Sequence, residues 1–149
     1  MAEGRRKLEL LPGVYAVCRL DKDALIPGWA TAGRLCSITR TAEELSVVCP
    51  EADVPGGVKQ EGGWKALMVE GPLDFSTTGV LASLTFPLAR EGVSVFAIST
   101  YNTDYLLVKQ EQLRQALRAL RSEGYAVVAN SSEGDATERE TTGPIVGKE

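Results

Sequence analysis

Two short polar stretches hold the residue types that could do chemistry. One is Gly71-Pro-Leu-Asp-Phe-Ser-Thr-Thr-Gly79, with Asp74, Ser76, Thr77 and Gly79. The other is the middle of residues 93–108, with Thr100, Tyr101, Asn102, Thr103 and Asp104. Asp104 and Asp74 suit an ammonium or guanidinium, which their carboxylates would hold by charge-assisted hydrogen bonds. A helix start after residue 76 would offer backbone N–H groups without intrahelical partners and about half a positive charge, which suits a carboxylate. An anion pocket beside a cation pocket describes a free amino acid. Each residue also has a local explanation. Ser76 or Thr77 can cap a helix, Asp74 can close a turn onto Ser76, and 100–104 is ordinary hairpin-turn chemistry. Gly79 is the exception. One or two residues inside a helix, glycine costs about 1 kcal/mol against alanine, which points to something approaching the backbone closely.

The rest of the inventory argues against catalysis. The 149 residues contain no histidine, and Cys18, Cys36 and Cys49 show no Cys-x-x-Cys spacing. Zinc sites and histidine-assisted nucleophiles lack their parts, so no metal, cofactor or catalytic residue is expected. The cysteines read as buried free thiols. The net charge of −4 disfavours a broad nucleic-acid face. No apolar run approaches the roughly 18 residues of a membrane span. Arg5-Arg6-Lys7 is followed by no signal-peptide apolar core, so a cytoplasmic location is expected.

The positioning elements are readable. Strands are expected at 14–20, 35–39, 45–49 and 64–70, with Pro27-Gly28 and the glycines of 51–63 reducing the intervening helices to vestiges. A helix is predicted over 77–91, with Leu81, Leu84 and Leu88 on one side and Pro87 bending its last turn. Two strands fill 93–108. A second helix spans 110–122, with Leu113, Ala116, Leu117 and Leu120 inward and Arg114, Arg118 and Arg121 outward. A final strand is expected at 125–129. The expected fold class is α+β: two tandem ferredoxin-like βαββαβ units, 8–63 with degraded helices and 64–129 complete. Residues 130–149 read as a disordered acidic tail. Laying Cys36 onto Phe96, a shift of 60, pairs Thr39 with Ser99, Glu44 with Asp104 and Val48 with Val108.

In such a unit with right-handed crossovers, the end of strand one, the start of helix one and the turn between strands two and three share an edge. That brings Asp74, Ser76 and Gly79 beside Thr100, Tyr101 and Asp104. Strand two, 93–98, would be a bare apolar edge. Antiparallel pairing with a second copy covers it and sets Ser94 and Val95 of one chain against the 100–104 end of the other.

At 71–79 and at Ile98-Ser-Thr-Tyr-Asn-Thr-Asp-Tyr-Leu-Leu-Val108 the chain resembles ACT-domain proteins, as does Pro87-Leu88 in the bent helix. It is most similar to small bacterial tandem-ACT proteins related to the CASTOR arginine sensors and to the regulatory part of aspartate kinases. The resemblance implies a non-catalytic sensor or regulatory module holding an amino acid at an interface between ACT units. A basic amino acid such as arginine or lysine is a candidate, and a homodimer would complete the set of four units. Ser94 and Val95 match the sensors' backbone-binding pair, Thr100, Tyr101 and Asp104 their hairpin residues, and 74–79 their glycine-bearing loop. Asp74 departs from the small residue of that loop. Arg40 and Glu44 stand in the first unit for Thr100 and Asp104, so no site is expected there. The alternative reading is a ligand-free dimeric interaction scaffold.

Overall fold

The computed structural model describes residues 6–129; the expected acidic tail lies outside them. Eight strands and two α-helices are present among these residues: β1 (Lys7–Leu10), β2 (Tyr15–Leu20), β3 (Ser37–Arg40), β4 (Leu45–Pro50), β5 (Lys59–Val69), α1 (Val80–Arg90), β6 (Phe96–Ser99), β7 (Asp104–Lys109), α2 (Leu113–Ser122) and β8 (Ala126–Ala129). The chain divides into two units, and the fold is α+β.

One unit covers residues 13–65 and 109–111. Its strands follow the order β3–β4–β2–β5, with the first part of β5 taking the last place. Both expected helices are single 3₁₀ turns, Gly28–Thr31 directly after Pro27 and Glu51–Asp53 after Pro50. Proline supplies no N–H and stops the preceding residue from helix, so neither turn extends backward. β5 begins five residues earlier than expected because it runs through Gly62-Gly63 by a bulge. Tyr15 pairs with Trp64, while Val17 already pairs with Glu61. Gly63 takes φ +80° at that bulge, where a side chain would be strained. Ala16, Cys18, Ala30, Leu45, Val47 and Cys49 make the core. Cys18 and Cys49 are buried, but Cys36 is exposed, against the expectation of three buried thiols. Burial pushes the Cys49 thiol up to about 12 and raises Cys18 as well.

The other unit contains residues 6–12, 66–108 and 112–129 of the described chain. β7 lies between β5 and β6, and β1 lies between β5 and β8. β1 is antiparallel to β5 (Leu8 opposite Val69) and parallel to β8 (Leu8 opposite Val127). Residues 8–12 therefore pack with 66–129 and not with the stretch to 63, a departure from the expected boundary. The cause is hydrophobic: Leu8 is fully buried against Leu67, Val69 and Leu120. α1 and α2 cover this core with Leu84, Leu88, Ala116 and Leu120. Pro87 sits inside α1 and is itself buried, so the backbone bond it forfeits is offset by packing.

Candidate functional site

α1 begins three residues later than expected. Gly79 is its N-cap, in the left-handed conformation (φ 79°, ψ 2°), and no side chain caps it. Neither Ser76 nor Thr77 is the cap. The Ser76 hydroxyl donates to Asp74 Oδ2 at 2.6 Å, and the Thr77 N–H donates to the Asp74 carbonyl at 2.9 Å. These bonds hold 74–77 as a turn outside the helix. The expectation for Gly79 also needs correction. A Cβ there would meet nothing within 4 Å, so the glycine serves the left-handed turn and not a close approach. In the 71–79 stretch the crowded glycine is Gly71, whose Cβ would lie 3.0 Å from the Asn102 carbonyl oxygen and 3.1 Å from Thr103 Cβ.

The second stretch is a tight hairpin. Ser99 faces Asp104 across β6 and β7, and the Thr100 N–H donates to the Thr103 carbonyl at 2.8 Å. The Thr100 hydroxyl donates to the same carbonyl and accepts from the Thr103 N–H. Ser99 Oγ donates to Asp104 Oδ1 at 2.6 Å. Thr103, a buried polar residue, donates its hydroxyl to the Val69 carbonyl at 2.6 Å and pins the turn to the end of β5.

The two stretches meet. The Leu73 N–H donates to the Asn102 carbonyl at 2.7 Å. Phe75 packs edge-on to Tyr101, with ring centroids 4.9 Å apart. Between them lies a hollow of about 210 Å³, lined among others by Asp74, Thr77, Val80, Thr100, Tyr101 and Asp104. Asp74, Thr100, Tyr101 and Asp104 are thus brought together. Ser76 reaches the hollow only through Asp74, and Gly79 only by setting the start of α1. Ser94 and Val95 precede β6 and do not line the hollow. The Ser94 N–H bonds the Gln112 side chain, and Val95 packs on the core.

Chemically, the hollow is an anionic corner with a helix start on one wall. Neither Asp74 nor Asp104 forms an ion pair among the described residues. Each carboxylate already accepts one serine hydroxyl and has lone pairs left for a cation. The first N–H groups of α1, beside Val80, have no intrahelical acceptor. Sequence reasoning missed Leu73, Phe75 and Ser99 as site residues, along with the anchoring role of Thr103. Only the alternation that pairs Ser99 with Asp104 could have signalled one of them.

The corresponding hairpin of the 13–65 unit has the same turn with different flanking residues. Thr41 and Glu44 repeat the bonds of Thr100 and Thr103: the Thr41 N–H donates to the Glu44 carbonyl at 2.9 Å, and the Glu44 N–H donates to the Thr41 hydroxyl at 3.2 Å. Arg40 faces Leu45 there, where Ser99 faces Asp104. The two hairpins therefore align by a shift of 59, one less than expected. In a strand a one-residue slip changes which face a side chain occupies. The partner of Asp104 is the fully buried Leu45, not Glu44. Arg40 instead donates to the carbonyls of Lys22 and Ala24.

Among known families, the ACT-domain profile matches residues 59–122, and a profile described as an N-terminal domain matches 13–57. Residues 59–122 belong to the ACT-domain family. The crystal structure of the Agrobacterium tumefaciens protein Atu0741 is 36% identical, with a TM-score of 0.80, and the match covers 85% of this chain and 94% of that one. Human CASTOR3P is 31% identical over 106 residues, 62% of this chain and 65% of that protein. The human cytosolic arginine sensor for mTORC1 subunit 1 is 35% identical over 66 residues, 42% of this chain and 20% of that protein. This ACT protein thus spans less than two thirds of either curated relative. The regulatory subunit of aspartate kinase from Thermus thermophilus shares the fold, with a TM-score of 0.53 at 13% identity over 78% of this chain and 93% of that one.

Proposed function

We propose that this ACT protein is a non-catalytic regulatory module that binds a free amino acid in the hollow between residues 73–80 and 99–104. The observation that carries the reading is the 2.7 Å bond from the Leu73 N–H to the Asn102 carbonyl, which joins the two polar segments around two carboxylates that form no ion pair among the described residues. Asp104 and Asp74 take the ammonium group or a basic side chain, and the start of α1 takes the carboxylate. A hollow of about 210 Å³ falls below the range for drug-sized ligands, which fits an amino acid better than a nucleotide. The two aspartates favour a basic amino acid, in keeping with the arginine-sensor relative.

A homodimer completes the site in this reading. Among the described residues β6 pairs only with β7, at the edge of its sheet. Antiparallel pairing there brings Ser94 and Val95 of the second copy to the mouth of the hollow, over the exposed rings of Phe75 and Tyr101. The tandem organisation, with the boundaries given above, and the cytoplasmic location belong to the same proposal. Among the described residues no helix is long and apolar enough to cross a membrane. The test is calorimetry of the folded protein against the twenty amino acids. Heat from a small set, led by arginine or lysine, supports the sensor. Silence from all twenty leaves the ligand-free dimeric scaffold.

A further inference from the structure

Three thiols in the 13–65 unit take no part in the amino-acid site, and the strand ladder lines them up. Cys18 is on β2, Cys49 is on β4, and Cys36 is the residue just before β3. Cys18 and Cys49 are buried in the core and share a hydrogen bond, while Cys36 is exposed. Burial first, then charge on Cys18, Asp53 or Cys36, holds Cys49 protonated, so Cys36 lies within electrostatic reach of it. Among the described residues no group of three or more cysteine or acid side chains is arranged for a metal ion.

The register decides which thiols can bond. Ser37 stands opposite Val48 in the antiparallel β3–β4 pair, so one step further Cys36 stands opposite Cys49. Directly opposite residues have Cα atoms about 4.5–5.5 Å apart, inside the span of about 4.4–6.8 Å that a disulfide bridges. Cys18 faces Val47 and Cys49 faces Ala16, so those two cysteines are diagonal neighbours. Diagonal Cα atoms lie about 7–8 Å apart, beyond a disulfide's reach without backbone movement. We propose that Cys36 and Cys49 form a reversible cross-strand disulfide when hydrogen peroxide reaches the exposed thiol, with Cys18 left reduced. The Cys36 thiolate attacks one peroxide oxygen and the O–O bond breaks, giving the sulfenic acid and hydroxide. The Cys49 sulfur then attacks the Cys36 sulfur, the S–O bond breaks, and the leaving hydroxide takes the Cys49 proton as water. The net change is two thiols and hydrogen peroxide to one disulfide and two waters. The bond clamps β3 to β4 and closes a loop around the 40–45 hairpin.

The test treats the reduced full chain and its Cys36→Ser variant with hydrogen peroxide. Remaining thiols are alkylated in urea and mapped by mass spectrometry without reduction. The parent should lose two of its three thiols and two hydrogen masses, and yield one peptide bridging Cys36 to Cys49. Dithiothreitol should restore both thiols. Cys36→Ser changes an exposed side chain and should fold as the parent does, and its buried thiols should disappear about tenfold more slowly or less. The oxidised parent should also unfold at higher urea than the reduced one, because the cross-link restricts the unfolded chain. A Cys18–Cys49 bridge, a disulfide between two chains, or sulfinic acid at Cys36 in place of a bridge would overturn the inference. So would an unchanged thiol count, or equal thiol loss in Cys36→Ser. None of these outcomes bears on amino-acid binding, so failure here is separate from failure of the sensor reading.

Discussion

The two hairpins of this protein share one backbone design and end in opposite chemistry. In both, a threonine hydroxyl and N–H tie the turn to a carbonyl three residues on. At 40–45 the flanking pair is an arginine and a buried leucine. The arginine donates to the carbonyls of Lys22 and Ala24, and the leucine packs into the core. At 99–104 the flanking pair is a serine and an aspartate, and the corner stays hollow. The difference teaches that the turn is scaffold in both units. What makes one of them a candidate site is the pair of residues just outside it, together with a neighbouring loop whose own carboxylate, Asp74, forms no ion pair among the described residues.

Changing those residues should break or sharpen the contrast. The largest effect is expected from Leu45→Asp, which copies the aspartate of 99–104 onto the 40–45 hairpin. It buries a charge without a partner at a fully buried position and should cost about 3 kcal/mol or more in urea unfolding. Arg40→Met removes the bonds to the Lys22 and Ala24 carbonyls. Its bonds are exposed, so a loss of about 1 kcal/mol is expected, with amino-acid binding unchanged by calorimetry. Ser99→Ala frees Asp104 from its orienting hydroxyl and should weaken ligand binding about 3- to 10-fold with little change in stability. The smallest effect concerns pH. The hydrogen bond and charge of Lys109 hold the Glu61 carboxyl below its usual range. A carboxyl with a depressed folded pKa stabilises the fold above its unfolded value of 4.5 and loses that contribution as pH falls below it. Lys109→Met should therefore flatten a slight acid sensitivity of the unfolding midpoint below about pH 4.5.

Much of this was legible in the residues. Apolar spacing located both helices to within about three residues, and Pro27 and the 51–63 glycines told correctly that two other helices would shrink. The meeting of 71–79 with 99–104 followed from βαββαβ topology. Three things were not legible, for physical reasons. β1 is four residues long and finds its place between β5 and β8 only through tertiary packing of Leu8, which no local pattern records. Gly79 looked like a close-approach glycine because the helix was started too early. Its left-handed φ depends on how Asp74 and Ser76 close the preceding turn. The repeat was laid one residue out of register because apolar positions in buried strands match almost equally well at 59 and 60, and only the ladder pairing decides.

The central claim is that Asp104 and Asp74 grip one amino acid at a corner that the 40–45 hairpin lacks. Its most direct measurement is calorimetric titration of the best amino-acid ligand into three proteins: the parent chain, Asp104→Asn and Arg40→Met. A charge-assisted hydrogen bond is worth about 1.5–3 kcal/mol, so Asp104→Asn should lose about 10- to 100-fold in affinity while Arg40→Met binds as the parent does. Equal affinity for the parent and Asp104→Asn, with both folded, would contradict the account.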